Sequence, residues 1–302
     1  MRDSRDELVF GLGLSSAVRT AAAMLEQAGR ADRDGLDMVS VSDHPYYADR
    51  LDAYATLGVL LGRTRRVSAF ANVSSLPVRP APLLARTVSS LSELSQGRVV
   101  LGLGAGGLWD EAARMGVERL TPGQAVRAFE EAFQVVRALS GGGGPVTFEG
   151  EFYQVRGLEP AAAPAPPIWT GSNGPRSLAV TGRRADGWIP GHAADWLSER
   201  YRWSRPIIDE AAAAVGRDPS EIRTIYNLPG RITDRPLAAT RDAEGRWIGG
   251  SPAQWAEELT GAVLEHGAAG FTYFGDEPDA WAREVVPAVR EAVAAARSAA
   301  SG

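Results

Sequence analysis

The sequence predicts an α/β fold, a (β/α)8 TIM barrel with insertions, and three observations support that class. Short apolar runs alternate with amphipathic stretches eight times along the 302 residues. The runs at 67–73 and 99–103 are separated by a helical pattern and not by a hairpin turn, which is typical of a βαβ unit. A barrel of this kind needs about 250 residues, so the surplus fits insertions around 141–167 and 229–250. We therefore expect residues 1–302 to form a single barrel domain.

The individual elements follow from apolar periodicity, caps and breakers taken in chain order. Apolar runs with β-branched or aromatic members predict strands at 8–14, 38–42, 67–73, 99–103, 168–170, 187–189, 222–228 and 271–274. Amphipathic stretches predict helices at 20–34, 51–62, 80–96, 122–139, from 176 onward, 195–215, 251–266 and 279–299. A cap and a first-turn proline mark the helix starts at Pro122 and Pro252. Residues 146–155 are expected to form a hairpin that turns at Glu149 and Gly150.

A doubly wound parallel sheet is the alternative fold. It would be favoured by a GxGxxG loop after the first strand, where three glycines let a helix N-terminus approach a dinucleotide. The segment 11–16 reads GLGLSS and lacks the third glycine. The barrel is therefore the better prediction.

Composition excludes several classes of protein. The chain has no cysteine, which excludes disulfides, thiolate metal sites and thiol nucleophiles. It also has no lysine, which excludes Schiff-base chemistry and a Walker-type phosphate loop. A net charge of -5 and a pI near 5.4 argue against nonspecific binding of nucleic acid. The charged segment 1–7 has no apolar stretch behind it and no run approaches a membrane span, so we expect a cytoplasmic protein with no membrane partner.

Small residues crowd the exits of two predicted strands. Gly102, Gly104, Gly106 and Gly107 lie where the backbone can approach a ligand, because no side chain fills the space. The segment 72–74, Asn-Val-Ser, closes the preceding strand with small polar groups. Both exits fall on the carboxyl edge of a parallel sheet, where α/β proteins bind ligands. The alternative is that these are ordinary βα loops, in which Gly and Ser are common.

Asp43 and His44 follow an apolar strand directly, so a barrel places both at its mouth. A histidine there moves protons near neutral pH, and a neighbouring carboxylate biases its charge or orients a ring. The alternative is that Asp43 caps the next turn while His44 packs beside Pro45. His192, past the sixth strand, is a second candidate for the same mouth. His266 is expected to be a surface residue at a helix end.

The segment 171–177 joins a strand to a helix start and reads GSNGPRS. Its backbone amides, its hydroxyl groups and Arg176 together form a candidate anion cradle. The alternative is a capped connection with a solvated arginine. A metal site is not expected, because the three histidines are scattered and pair with no carboxylate cluster.

Six segments together resemble the luciferase-like monooxygenase superfamily, and within it the branch of F420-dependent oxidoreductases. The segments are SDH at 42–44, NVS at 72–74, LSELSQGRV at 91–99, GLGAG at 102–106, PIWTGS at 167–172 and RADGW at 184–188. The resemblance covers nearly the whole chain. It implies a luciferase-like barrel that binds either FMN or the deazaflavin coenzyme F420, often as a homodimer.

The same resemblance implies a set of site residues. Asp43 and His44 would face the cofactor ring as the catalytic pair, and the Asn72–Val73 bond would be a non-proline cis peptide that buttresses the ring. The residues implied to contact the cofactor ring, its side chain and its phosphate are Asp43, His44, Asn72, Val73, Ser74, Ala105, Gly106, Gly107, Gly171, Ser172, Asn173, Gly174, Arg176 and Ser177.

We expect a small-molecule substrate at the mouth, with contacts from Trp109, Trp188 and His192. The predicted reaction is hydride transfer between C5 of F420 and this substrate, with His44 giving or taking the accompanying proton. Relatives that oxidise glucose 6-phosphate carry a glutamate near the position of Gly107, and none stands there, so sugar-phosphate oxidation is not expected. Two alternatives stay open at this point. One is an FMN-dependent monooxygenase that uses reduced flavin and oxygen, and the other is a noncatalytic cofactor carrier.

Overall fold

The computed structural model of the protein describes residues 8–192 and 194–300. The charged segment 1–7, on which the expectation of a cytoplasmic protein partly rests, lies outside these ranges. Within them, no helix is long and apolar enough to cross a membrane.

A nearly closed parallel barrel contains most of the strands, and two insertions contain the rest. The strands are β1 Val9–Leu14, β2 Met38–Val41, β3 Ser68–Ala71, β4 Ser74–Ser75, β5 Leu101–Gly104, β6 Val146–Glu149, β7 Gln154–Leu158, β8 Ile168–Thr170, β9 Gly187–Trp188, β10 Arg223–Leu228, β11 Arg231–Ile232, β12 Gly249–Gly250 and β13 Gly270–Tyr273. In the described part of the chain, nine strands form one sheet in the order β3, β2, β1, β13, β10, β9, β8, β5, β4. A bridge between Ala69 and Val99 joins the two ends of this sheet. The predicted barrel is therefore confirmed, and the doubly wound alternative is wrong because such a sheet stays open.

The third strand of the barrel is broken in the middle. β3 pairs with β2, whereas β4 pairs with β5. The Asn72–Val73 peptide bond between them is cis, as the resemblance implied. The prediction of one continuous strand over 67–73 is wrong, because the backbone changes its pairing partner at this bond.

The helices alternate with the barrel strands. They are α1 Ala21–Arg33, α2 Ala53–Arg63, α3 Ala81–Ser95, α4 Trp109–Ala113, α5 Pro122–Ala138, α6 Pro175–Arg184, α7 Glu199–Ala213, α8 Pro252–His266, α9 Pro278–Ala280 and α10 Val286–Ala300. Capping boxes at Thr121 and Ser251 begin α5 and α8 and satisfy amides that have no partner inside the helix. The sequence therefore located both starts correctly. The predicted last helix differs, since a π-helical turn at Trp281–Val285 separates α9 from α10.

The two insertions carry small sheets of their own. β6 and β7 form the predicted hairpin, but Glu149 pairs with Gln154, so the turn occupies residues 150–153 and not the two residues predicted. The cause is Glu131 on α5, whose carboxylate accepts hydrogen bonds from the amides of 151–153 at 2.7–3.1 Å. The second insertion contains the paired strands β11 and β12.

Large apolar side chains fill the interior of the barrel. Phe70 and Trp169 meet edge to face with ring centroids 5.3 Å apart, and Met38 and Ile225 are buried with them. A small residue stands opposite, since a Cβ at Gly187 would lie 2.6 Å from the Trp169 indole. The interior is a packed core and not a pore, so a ligand site belongs at the carboxyl end of the strands.

Candidate functional site

A cleft of about 700 Å³ opens at the carboxyl end of the barrel. Organic ligands of cofactor size occupy pockets of about 300–1,000 Å³. The wall comprises Asp43, His44, Tyr46, Asn72, Val73, Ser74, Ser75, Gly104, Ala105, Gly106, Gly107, Leu108, Trp109, Arg119, Leu120, Thr121, Pro122, Ala125, Val126, Gly171, Ser172, Asn173, Gly174 and Ser177. The fold therefore brings together all the predicted cofactor-binding residues except Arg176.

A layer of polar side chains lies across the barrel between the apolar core and the cleft. The Asn72 side-chain amide donates to Asn227 Oδ1 at 3.0 Å and to Ser40 Oγ at 3.3 Å. The Asn227 amide donates back to Asn72 Oδ1 at 3.3 Å. Buried polar groups destabilise a fold unless they are hydrogen-bonded. This reciprocal pair therefore orients Asn72 at low cost and holds the residue that precedes the cis bond.

The Val73 side chain occupies a space that exists because its neighbours are glycines. A Cβ at Gly104 would lie 2.9 Å from Val73 Cγ2, and a Cβ at Gly171 would lie 3.0 Å from the same atom. A Cβ at Gly102 would lie 2.0 Å from the carbonyl oxygen of Ala71. Gly102, Gly104 and Gly171 are thus required by close packing around the break between β3 and β4.

We expect Gly102→Ala to destabilise the protein by about 1–3 kcal/mol, because the added methyl group meets a backbone oxygen that cannot rotate aside. Gly107→Ala is the matched control, since its Cβ would have no neighbour within 4 Å and its φ lies outside the left-handed region. The control should stay within about 0.5 kcal/mol of the parent protein. Urea unfolding followed by tryptophan fluorescence measures both changes. Equal destabilisation of the two variants would contradict this account of the packing.

Asp43 is buried, and both of its carboxylate oxygens are engaged. Arg79 donates from Nη2 to Oδ1 at 2.7 Å and from Nε to Oδ2 at 3.1 Å, and the Ser75 amide donates to Oδ2 at 3.0 Å. Arg79 Nη2 also contacts Asp52 at 2.6 Å. Burial opposes the charge of Arg79, but the two carboxylates outweigh it and raise the pKa of the guanidinium. These contacts occupy both oxygens of Asp43 and tie its loop to Arg79, and its predicted catalytic role stays a prediction.

His44 lies in the cleft wall with one ring nitrogen occupied. Its Nδ1 is 2.7 Å from the hydroxyl of Tyr46, and Nε2 has no hydrogen-bond partner among the described residues. Burial lowers the pKa of His44, the carboxylate of Asp43 opposes that shift, and the charge of Arg50 adds to it. The imidazole is therefore neutral near pH 7, with Nε2 available for a ligand.

The segment 171–177 presents a helix N-terminus to the cleft. α6 begins after Gly174 without a side-chain cap, so amides of its first turn are available to an anion. Ser177 Oγ donates to the Gly174 carbonyl at 3.0 Å and stays in the wall. Arg176 is exposed on the same turn, with Nη1 3.7 Å from the place of a Cβ at Gly123 on α5. The segment 171–177 thus borders the cleft, with Arg176 at the rim and not in the wall, and its predicted anion binding stays a prediction.

The three predicted substrate residues lie in different environments. Trp109 is in the wall and also lines a second cavity of about 420 Å³. Trp188 is 0% exposed and donates from its indole nitrogen to the Ser172 carbonyl at 3.0 Å, so the predicted substrate contact is wrong. Through this hydrogen bond, Trp188 supports the backbone of the segment 171–177. His192 packs edge to face on Phe274 with centroids 5.7 Å apart, outside the wall.

Two residues that contact the wall from outside it were missed by sequence reasoning. Tyr54, whose hydroxyl is 2.6 Å from Ser74 Oγ, and Arg79 reach the site from distant segments, so no local pattern marked them. Among the described residues, no three histidine or carboxylate groups are arranged to hold a metal ion.

These features define an α/β barrel protein whose cofactor-sized cleft is bordered by a non-proline cis peptide, a glycine-lined wall and a helix N-terminus. The chain belongs to the luciferase-like monooxygenase family, whose model matches residues 9–301. The predicted superfamily is therefore confirmed.

The chain is also similar to proteins of named activity. The chain is 31% identical over 195 residues to a 5,10-methylenetetrahydromethanopterin reductase of Methanolobus tindarius, covering 64% of this chain and 56% of that protein. It is 30% identical over 231 residues to an F420-dependent glucose-6-phosphate dehydrogenase of Microbacterium testaceum, covering 73% of this chain and 67% of that protein. The matched part of this chain thus spans little more than half of the first relative and about two thirds of the second.

A solved structure supports the fold. An F420-dependent secondary alcohol dehydrogenase in complex with an F420-acetone adduct superimposes with a TM-score of 0.77, covering 94% of this chain and 99% of that one. The two sequences are 20% identical, so this likeness speaks for the shared barrel and not for a shared substrate.

Proposed function

We propose that the protein is an F420-dependent oxidoreductase that transfers a hydride between C5 of the deazaflavin and a small organic substrate. The observation that carries this proposal is the imidazole of His44, held at Nδ1 by Tyr46 with Nε2 unoccupied, in the wall of a cofactor-sized cleft. Hydride transfer to or from an oxygen-bearing carbon needs a group that gives or takes a proton near neutral pH. A relative named as an F420-dependent dehydrogenase supports the choice of cofactor.

The residues of the cleft fit a deazaflavin. Glycines at 104 and 171 leave room for Val73 beside the cis bond, and a Cβ at Gly106 would lie 2.6 Å from Pro77 and 2.9 Å from Trp109. Because these glycines have no side chain, the backbone of the wall can approach the flat ring system of the cofactor closely. The first turn of α6 fits the phosphate of the cofactor side chain. When bound, F420 supplies a two-electron hydride carrier.

Different residues of the protein then support the cofactor ring, transfer the proton and contact the substrate. Asn72 and Val73 support one side of the ring position, and Asp43 with Arg79 fixes the loop that carries His44. His44 takes or gives a proton at Nε2. Trp109 and the second cavity that it lines provide a surface for the carbon skeleton of the substrate.

A parallel titration of the purified protein with F420 and with FMN, followed by cofactor fluorescence, tests the proposal first. Tight binding of F420 alone supports it, and reduced F420 is then assayed with 2-cyclohexen-1-one as hydride acceptor and oxidised F420 with secondary alcohols as donors. Preference for FMN, with oxygen consumed during turnover, would move the protein to the flavin monooxygenase branch of its family. Binding of neither cofactor would overturn the proposal.

We expect Arg176→Ala to weaken F420 binding about tenfold, because a charge-assisted contact to a phosphate contributes about 1.5 kcal/mol or more. The affinity for the phosphate-free deazariboflavin core should stay within about twofold, since that ligand has no group at the cradle. Arg184→Ala, at the opposite end of α6, is the matched control. Equal weakening of both ligands would show that Arg176 acts on the fold and not on the phosphate.

The homodimer and the cytoplasmic location remain predictions. Multi-angle light scattering on the purified protein measures the first directly. The substrate is proposed only as a small organic molecule, to be identified by the screen described above.

A further inference from the structure

The hydrogen bond between His44 and Tyr46 has a consequence for proton transfer. Tyr46 Oη is 2.7 Å from His44 Nδ1, and both residues lie in the cleft wall. Among the described residues, Nε2 of His44 has no partner and Tyr46 Oη contacts only this one ring nitrogen. The histidine is thus held at one nitrogen and left free at the other.

Packing fixes the pair in this geometry. The rings of His44 and Tyr46 have centroids 5.6 Å apart, and Tyr47 packs edge to face on Tyr46 at 4.9 Å. The Tyr46 side chain is half-buried and is therefore partly open to solvent. Burial, with smaller contributions from Tyr47, Asp43 and Glu111, raises the pKa of Tyr46 to about 12, and the phenol keeps its proton at neutral pH.

A histidine that acted alone at this position would become charged during proton transfer. If it accepts a proton at Nε2 it becomes an imidazolium, which burial and Arg50 disfavour although Asp43 offsets part of that penalty. If it donates a proton from the neutral state it becomes an imidazolate, which is far less favourable. A partner that exchanges a proton at Nδ1 in the same step avoids both charged states.

We propose that Tyr46 is that partner, a positioning residue that orients the His44 ring and relays the proton of hydride transfer between Nδ1 and solvent. The inference rests on the proposed function. It extends that function by giving the proton a path that does not leave charge on the imidazole.

The steps balance in both directions. When a substrate alcohol is oxidised, its O–H bond breaks and an N–H bond forms at Nε2, the Nδ1–H bond breaks as Tyr46 gains that proton, and the original phenol proton passes to water. When a carbonyl or activated alkene is reduced, the same bonds exchange in reverse and water supplies the proton. His44 and Tyr46 end neutral each time, and the imidazole has changed from one of its two neutral tautomers to the other. The hydride leaves from or arrives at the proposed cofactor.

The test compares Tyr46→Phe with Tyr47→Phe. Both variants keep an aromatic ring, but the Tyr47 hydroxyl makes no hydrogen bond to the imidazole among the described residues, and its ring lies 6.1 Å from that of His44. We expect Tyr46→Phe to lower kcat for reduction of 2-cyclohexen-1-one by reduced F420 about 10- to 100-fold, with KM and cofactor affinity within about twofold. High concentrations of imidazole buffer should restore part of this loss. Tyr47→Phe should behave as the parent protein.

A second measurement needs no cofactor. In protein labelled with ¹⁵N-histidine, Nδ1 of His44 should show the shift of a hydrogen-bonded nitrogen, and Tyr46→Phe should change that shift while Tyr47→Phe does not. An unchanged kcat in Tyr46→Phe, a loss that imidazole does not relieve, or an unchanged Nδ1 signal would each overturn the relay. Failure of the parent protein to bind F420 would instead refute the proposed function, and the NMR comparison would still decide whether Tyr46 controls the histidine.

Discussion

His44→Ala is expected to lower kcat for hydride transfer about 10²- to 10⁴-fold, the usual contribution of a positioned acid or base. The affinity for F420 should stay within about twofold, because the lost group acts on the proton and not on ring binding. The cleft wall contains other donors and acceptors, but Asp43 is taken up by Arg79 and Tyr46 keeps its proton. No nearby group is therefore ready to replace the imidazole. Steady-state turnover and a fluorescence titration on the same preparation separate the two parameters.

The pH dependence follows from the same residue. Because burial lowers the pKa of His44, the working neutral form persists below the ordinary imidazole value of about 6.5. For alcohol oxidation, activity should therefore be level through neutral pH and fall on the acid side only when the pH passes below that value, as the imidazole gains a proton and Nε2 no longer accepts one. An acid limb centred above 6.5 would contradict the burial argument.

His266→Ala is the control for the histidine experiment. This residue ends α8 and lies outside the cleft wall, so its removal should change neither kcat nor cofactor affinity. If His44→Ala kept the turnover of the parent protein with normal F420 binding, the proton-transfer role would be wrong. A variant that no longer bound F420 would show that His44 serves the cofactor site instead.

Arg79→Ala is expected to lower the free energy of unfolding by about 3–5 kcal/mol, the usual effect of leaving a buried charge without its partner. The Asp43 side chain is 0% exposed, and without Arg79 its carboxylate would keep only the Ser75 amide as a hydrogen-bond donor among the described residues. The substitution also removes the Arg79 contact to Asp52 and its stacking over the Tyr54 ring at 5.0 Å. Guanidinium chloride unfolding measures the change, and the loop carrying His44 should lose order with it.

Two further variants show whether the unpaired charge is the cause. Asp43→Asn/Arg79→Met removes both charges and should recover at least half of the lost stability, since a buried pair replaced as a whole costs far less than a broken one. Arg114→Ala breaks an exposed pair with Glu111 and should change the free energy of unfolding by less than about 1 kcal/mol. If the double variant were no more stable than Arg79→Ala, packing and not charge would explain the loss.

The fold was predictable because its signals are local. β8 was predicted to the residue, and the helix starts at Pro122 and Pro252 were found because caps and first-turn prolines act within one turn. The hairpin turn was misplaced for the opposite reason. Its conformation depends on the Glu131 carboxylate, which belongs to another element and approaches only after α5 has packed.

The candidate site also has a part that local sequence signals predicted and a part that they did not. His44, the glycine-rich exits and the segment 171–177 stand directly after strands, and the rule that parallel strands end at one edge places them together. Trp188 also follows that rule in sequence, yet its side chain turns to the far side of the strand and supports the Ser172 carbonyl. β9 has only two residues, so the alternation of side chains between its two faces could not predict the direction of Trp188.

The sequence by itself determined the repeat of strands and helices, the end of the barrel at which ligands bind, and the residue types that meet there. Only the tertiary structure decided what those residues do. Arg79 reaches Asp43 across 36 positions and occupies its carboxylate, Asn72 and Asn227 pair across 155 positions, and the ring of Tyr46 turns back on His44. Charge, tautomer and burial depend on atoms a few ångströms away in space, and the chain brings such atoms together from segments that carry no local trace of each other.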